Sequence, residues 1–302
     1  ILYFEKIEGY DHRVVANVCG NRARISSALG VSPEKIYERL VDAWRSPTPP
    51  KVVDKCPVKE VVEEPNLLKI PILTHFERDA GPYITSAIVS ARSPDGRIEN
   101  VSIHRLQVLD ECRLAIRLVP RQLYALWSMA RESGRGLEVG IALGLHPAIL
   151  LAASSPLPLG VSEFHVANTL LNGKLLLTRC ESVDAYVPAE AEIVLEGTMS
   201  LDEEVVEGPL VDITGTYDAQ RKQPIIKLKR IMHREDYIYQ ALLPSGMEHK
   251  LLMGLPREVM IWACFLISPH WSPSASRSGR GAASSGSRGS RRGVATTPLP
   301  LW

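Results

Sequence analysis

The sequence predicts an α+β fold organised around a barrel-like antiparallel sheet. Three observations predict it. Residues 83–93, 99–119, 191–200, 223–235 and 237–243 form short apolar or alternating runs, bounded by turn residues. Helix signals are interspersed among these runs without the regular alternation that builds a parallel sheet. The chain has 302 residues, 45% hydrophobic and 23% charged, enough for one large or two medium domains of ordinary composition.

Residues 1–19 read as a strand pair turned at Gly9-Tyr10-Asp11. Ser32 is placed to cap a helix with Pro33 in its first turn, running to about Trp44 and stopped by the Pro-rich connector 46–50. Residues 51–80 alternate short apolar runs with prolines, and residues 83–93 read as one strand turned by Asp95-Gly96. Residues 99–119 read as a hairpin bent at Asp110-Glu111. Pro120 opens a helix over 122–132 that Gly134 closes. A buried strand at 137–143, short helices at 147–154 and 162–173, and strands at 174–180 and 191–200 follow. Near the end, PREVMIWACFL starts a helix that is soon cut off, and residues 269–302 turn rich in Ser, Arg and Gly. That tail is expected to be disordered, either as a nucleic-acid-binding tail or through loss of the reading frame near Cys264. The chain opens mid-strand without Met, so residues are expected to be missing upstream.

Several classes are set aside. A net charge of +1 provides no global field for nucleic acid or membrane. Five scattered cysteines without a CxxC pair suggest neither a zinc site nor a disulfide framework, and fit a reducing cytoplasm. No apolar run is long enough to span a bilayer, and charges interrupt the N-terminus too early for a signal peptide. GLEVGIALG lacks the strand-turn-helix setting of a phosphate loop.

The stretch VVEGPLVDITGTYD, residues 205–218, holds the strongest chemical signal. Glu207 and Asp212 flank Gly208-Pro209, whose bend allows both acids to face one cavity. Paired acids in different environments suit acid/base chemistry, whereas a solvated hairpin is the structural alternative. Arg105 is either a surface charge or an anion clamp. Glu163 by itself reads as a first-turn helix-dipole partner, and His146 and His165 as structural histidines.

Five strings settle the direction: DAGPYITSAIV, ENVSIHRLQV, PLGVSEF, VPAEAEIVLEG and EGPLVDITGTYD. In this order and spacing, over about residues 2–263, they resemble the UbiD decarboxylases, which remove CO2 from unsaturated or aromatic acids with prenylated FMN. The resemblance implies a small N-terminal α/β domain at 1–74 and a split β-barrel flavin-binding domain at 75–243. It also implies the start of a truncated C-terminal region at 244–265, with the Ser/Arg/Gly tail as 266–302 and the C-terminal domain largely missing.

By the same resemblance Arg105, Glu207 and Asp212 are the catalytic residues, and Thr85, Asn100, Arg105 and Glu163 meet the cofactor. Arg105 would hold the substrate carboxylate, Asp212 would protonate the carbon that loses CO2, and Glu207 would hold Arg105 in register and tune Asp212. Asn100 and Glu163 would ligate manganese, with potassium as a further cation. Gln122 stands near where the family has a His ligand. Asp212, shorter than the usual Glu, is similar to an archaeal branch that converts anhydromevalonate phosphate to isopentenyl phosphate in the mevalonate pathway. Arg121, Arg221 and Lys222 are candidate cations for that phosphate. The implied partners are this small phosphorylated unsaturated acid, a flavin prenyltransferase that supplies the cofactor, and further copies of the chain, with no nucleic acid and no membrane. The alternatives are a polyprenyl-hydroxybenzoate or other aromatic or acrylic acid decarboxylase, a flavin-binding but inactive fragment, and a nucleic-acid binder acting through the tail.

Overall fold

The computed structural model describes residues 1–267. The expectations for the Ser/Arg/Gly tail lie outside the described residues. The first part of the chain holds β1 (Leu2–Phe4), β2 (Arg13–Ala16), α1 (Arg22–Ala28), α2 (Ile36–Arg45), β3 (Lys51–Val52) and β4 (Val61–Glu63). The middle holds β5 (Tyr83–Ile84), β6 (Ile88–Arg92), β7 (Glu99–Ile103), β8 (Leu106–Val108), β9 (Arg113–Ile116) and α3 (Gln122–Glu132). Next come β10 (Leu137–Leu143), α4 (Pro147–Ala153), α5 (Glu163–Leu170), β11 (Leu176–Arg179) and β12 (Tyr186–Pro188). The long β13 (Ile193–Glu207) and β14 (Arg221–His233) precede β15 (Ile238–Ala241) and α6 (Met247–Ile267).

The main sheet has nine strands in the order β5-β8-β9-β14-β13-β10-β6-β7, with β4 alongside β14. It closes on itself because β5 and β6 are two halves of one bent chain segment, and so are β7 and β8. Ile84 pairs with Leu106 at one side of the bend, and Ile88 pairs with Ile103 at the other. The barrel is therefore split at residues 85–87 and 104–105. Residues 83–93 are not the single strand the sequence suggests. The Thr85 hydroxyl donates to the Leu242 carbonyl at 2.6 Å and the Ser86 hydroxyl to the Gln240 carbonyl at 2.5 Å. These bonds take the place of ladder bonds, and their partners are too distant in sequence to be read locally.

Alternation along the strands separates two cores. Leu137, Val139, Ile141 and Leu143 join Leu195, Leu106 and Ile226 inside the barrel. Ala142, Val194, Ile88 and Val101 face outward, onto a layer built from α1, α2, α4, α5 and α6. A second sheet, β1-β2-β15, joins the N-terminal strands to β15 through a parallel β2–β15 pairing, and a third, β12-β11-β3, pairs β3 in parallel with β11.

Three helix readings change. Ser32 makes no side-chain cap and precedes a 3₁₀ turn at Pro33–Lys35, so α2 starts at Ile36. Sequence reading passed over α1, although Asn21 caps it by accepting the Arg24 N–H at 2.8 Å. The last helix is no stub. It runs from Met247 with Pro256 inside it, buries Leu252, Leu255 and Val259, and sets Trp262 edge-on against Tyr37 of α2.

Candidate active site

The split in the barrel aims side chains into a cavity of about 900 Å³. On β7 the period of two puts Asn100 and Ser102 on one face, and His104 continues that row. Because pairing lapses after Ile103, Arg105 also reaches the cavity wall instead of the opposite face. Arg117, across the β8–β9 hairpin, comes beside it: the Arg117 N–H donates to the Arg105 carbonyl at 3.2 Å.

Arg105 is tightly held. Its Nε and Nη2 donate to the two carboxylate oxygens of Glu207, each at 2.9 Å, and Nη2 also donates to Asp218 at 3.1 Å. Glu207 has no exposed surface. The Tyr83 hydroxyl donates to its carboxylate at 3.1 Å. Burial, then the Glu207 charge, pushes that phenol far above its usual value. Gln107 completes the surround: its Oε1 lies 3.1 Å from the Tyr83 hydroxyl, whose single proton it shares with Glu207, and it accepts the Gly208 N–H at 3.2 Å. Glu207 thus stands behind Arg105 rather than in the cavity wall. That differs from the expectation that both acids face the cavity, because the last residue of β13 still points into the packed sheet.

After β13 the chain turns at Gly208, whose φ of +96° favours glycine. It then forms a small hairpin: Val211 bridges Tyr217, and the Asp212 N–H donates to the Thr216 carbonyl at 2.8 Å. This hairpin sets Asp212 on the cavity wall and returns Asp218 to the arginines. Asp218 pairs with Arg105 at 3.1 Å, Arg117 at 3.5 Å and Arg221 at 2.9 Å. Burial is the largest single influence and raises its carboxyl, but Arg221, Arg105 and the Ala219 N–H together outweigh it and hold the group below the usual carboxylate value. Asp212 is half-buried and accepts the Ile213 N–H at 2.5 Å. His249 of α6 lines the cavity too and feels the Asp212 charge.

A second group gathers where α3 and α5 begin. The Asn100 amide donates to the Gln122 side-chain oxygen at 2.9 Å and to Glu163 at 3.1 Å. The other Glu163 oxygen accepts the Val101 N–H at 2.8 Å. All three residues line the cavity. Among the described residues Glu163 has no cationic partner, and burial raises it to about 8 despite its hydrogen bonds. Two amides and a buried carboxylate with no counter-charge are the oxygen set a hard divalent cation takes. The residues present therefore fit a metal, although no cluster of three His, Cys, Asp or Glu occurs among the described residues. Ser102 and His104 connect this corner to Arg117. Ser102 donates to Asn100 at 3.0 Å and contacts His104 Nε2 at 2.9 Å, while His104 Nδ1 lies 3.2 Å from the Arg117 carbonyl. Burial lowers His104 to about 4, which keeps it neutral.

The structure thus brings Thr85, Asn100, Arg105, Gln122, Glu163 and Asp212 to one cavity, with Glu207 directly behind it. Apolar Ile103, Leu123, Leu210 and Leu242 complete the walls, and the volume accommodates a flavin-sized ligand. Of the candidate phosphate cations, Arg121 lines the cavity, whereas Arg221 is held by Asp218. Sequence reading missed Asp218, Arg117, Tyr83, His104 and Arg257. Asp218 closes the very string that carried the resemblance and was within reach. Tyr83, His104 and Arg117 depend on strand register, and Arg257 on the full extent of α6.

The chain is similar to known proteins over most of its described length. The family model for the 3-octaprenyl-4-hydroxybenzoate carboxy-lyase Rift-related domain, UbiD, matches residues 51–247, and that for the corresponding N-terminal domain matches residues 1–44. An anhydromevalonate phosphate decarboxylase of Methanothermobacter thermautotrophicus is 42% identical over 262 residues, covering 87% of this chain and 62% of that protein. Its counterpart in Methanosarcina mazei is 44% identical over 262 residues, covering 86% and 60%. An evolved dimeric form of the UbiD-class enzyme HmfF from Pelotomaculum thermopropionicum, solved with prFMN, superposes with a TM-score of 0.85 at 41% identity, covering 86% of this chain and 62% of that one. The chain spans about 60% of the length of these relatives.

Proposed function

The chain belongs to the UbiD family, and on that premise we propose that it is the cofactor-binding part of a prenylated-FMN-dependent decarboxylase acting on anhydromevalonate phosphate to give isopentenyl phosphate and CO2. One observation carries the reading: a guanidinium locked by Glu207 and Asp218 lies in the wall of a flavin-sized cavity. The corner at Asn100, Gln122 and Glu163, whose carboxylate has no counter-charge, would hold manganese through its side-chain oxygens, and potassium would be a further cation. When bound, the prenylated flavin supplies the electron sink for the pair left behind as CO2 departs.

The chain's own residues do the rest. Arg105 holds the substrate carboxylate through Nη1, the guanidinium nitrogen not engaged by Glu207 or Asp218, and those contacts keep the group in place without reorganisation. Apolar Leu210, Leu242 and Ile103 exclude water, which strengthens the ionic contacts. Asp212 in its acid form gives a proton to the carbon that has lost CO2, and its partial exposure allows it to be reprotonated from solvent. Glu207 acts through Arg105 as a positioning residue. A flavin prenyltransferase is the required supplier of the cofactor. No helix among the described residues is long and apolar enough to cross a membrane.

The test is CO2 and isopentenyl phosphate release from anhydromevalonate phosphate by protein reconstituted with prenylated FMN. Asp212→Asn is expected to lower turnover by about 10²–10⁴-fold, the range for loss of a positioned acid, with flavin affinity within twofold of wild type. Unchanged turnover in that variant rules out Asp212 as the proton donor.

A further inference from the structure

Four arginines line the cavity: Arg105, Arg117, Arg121 and Arg257. Two have carboxylate partners: Arg105 pairs with Glu207 and Asp218, and Arg117 with Asp218. The other two differ. Among the described residues neither Arg121 nor Arg257 has a carboxylate within ion-pair distance. The Arg257 guanidinium donates to the Met253 carbonyl of its own helix. The hydrogen bonds found at Arg121 belong to its backbone, with the Val119 carbonyl at 2.7 Å and the Ala125 N–H at 2.9 Å. Arg121 immediately precedes α3 and Arg257 lies on α6, so elements distant in sequence deliver two unneutralised cations to one space. They sense each other: burial, and behind it the Arg121 charge, holds Arg257 below the usual guanidinium value.

Two like charges with no carboxylate in ion-pair contact are unfavourable until an anion joins them. The chemistry that suits them is a phosphate monoester, a dianion whose oxygens accept two guanidinium forks. The start of α3 adds to the same sign. Gln122 and Leu123 line the cavity, and the first turn has neither an acidic residue nor a side-chain cap.

We infer that Arg121 and Arg257 form a phosphate-monoester subsite of this cavity, distinct from Arg105 and its carboxylate. The inference rests on the decarboxylase reading and adds to it the residues that recognise a phosphate. That phosphate belongs either to the acid substrate or to the flavin.

Calorimetric titration of the full chain with four probes separates the sources: isopentenyl phosphate, inorganic phosphate, FMN and riboflavin. Arg257→Gln and Arg121→Gln are each expected to weaken phosphate-bearing probes at least tenfold, and Arg257→Lys to lose less. If isopentenyl phosphate and inorganic phosphate weaken while FMN keeps its advantage over riboflavin, the subsite serves the substrate. If the FMN advantage collapses, it serves the cofactor. Affinities that move less than twofold in both Gln variants, or a wild type that binds none of the phosphate probes, overturn the inference. Should Arg257→Gln fail to fold, Arg121→Gln, at an exposed position before α3, decides the question. CO2 release by the reconstituted wild type is scored separately. Arginine-dependent phosphate binding without CO2 release defeats the decarboxylase reading and leaves the subsite standing, and the reverse result defeats the subsite alone.

Discussion

Glu207 and Glu163 are the same residue type, 0% and 4% exposed, in two regions of one site. Their surroundings are opposite. Glu207 meets a bidentate guanidinium and a phenol. Glu163 meets one amide side chain and one backbone N–H, and burial raises it to about 8. Depth alone therefore does not decide the charge of a buried acid; the partner does. In the first region the protein supplies the cation itself, in the form of Arg105. In the second the protein provides oxygen ligands and no cation, the arrangement on which the proposed metal site rests.

The comparison breaks most sharply at Arg105. Arg105→Met leaves Glu207 buried with no cation and is expected to destabilise the fold by about 3–5 kcal/mol, the range for breaking a buried pair. Adding Glu207→Gln is expected to restore most of that stability, since both charges are then gone, while turnover stays lost. Denaturant midpoints of the two single variants and the double measure the coupling, and additive losses would mean that the pair is not a unit.

Glu163→Gln is expected to act in the other direction. In metal-free protein at pH 7 it removes a carboxyl whose ionised form is disfavoured by burial, and is expected to raise stability by about 1–2 kcal/mol. A stability loss of that size on thermal unfolding would mean that the carboxyl is already satisfied by the protein.

The smallest effect is expected at His104, which connects the two regions through Ser102 and the Arg117 carbonyl. Its value in the folded chain is lowered from 6.5 to about 4. The unfolded chain then takes up a proton near 6.5 that the folded chain refuses until about 4, so this histidine's contribution to stability is present above 6.5 and lost as pH falls towards 4. His104→Gln is expected to flatten the fall in melting temperature between pH 6.5 and 4 by a few degrees. Equal slopes in variant and wild type would show that His104 protonates freely.

Asn100, Gln122 and Glu163 were reached in the sequence only through the family strings, since Glu163 by itself reads as a helix-dipole partner; that β7, α3 and α5 bring them within hydrogen-bond distance is a matter of packing. Arg105 and the acids at 207 and 212 were legible as motif residues, but their arrangement was not. Whether Glu207 faces the cavity or stands behind Arg105 depends on the end of a fifteen-residue strand whose register shifts twice against β14. Asp218 reaches Arg105 only because the hairpin across Val211 and Tyr217 folds it back. The split at Thr85 and Ser86 depends on carbonyls of Leu242 and Gln240, which no local pattern announces. Arg257 falls within the helix start that the sequence shows at PREVMIWACFL; what the sequence does not show is that α6 begins earlier, at Met247, and delivers Arg257 to the cavity.

The central claim, that Glu207 serves an internal cation and Glu163 an external one, is tested most directly by Mn2+ binding followed by electron paramagnetic resonance. Wild type and Glu207→Gln are expected to bind Mn2+ with affinities within about threefold, and Glu163→Gln to bind at least tenfold more weakly, the scale on which metal sites respond to altered ligation. Equal Mn2+ affinity in wild type and Glu163→Gln, or a loss confined to Glu207→Gln, would contradict the account.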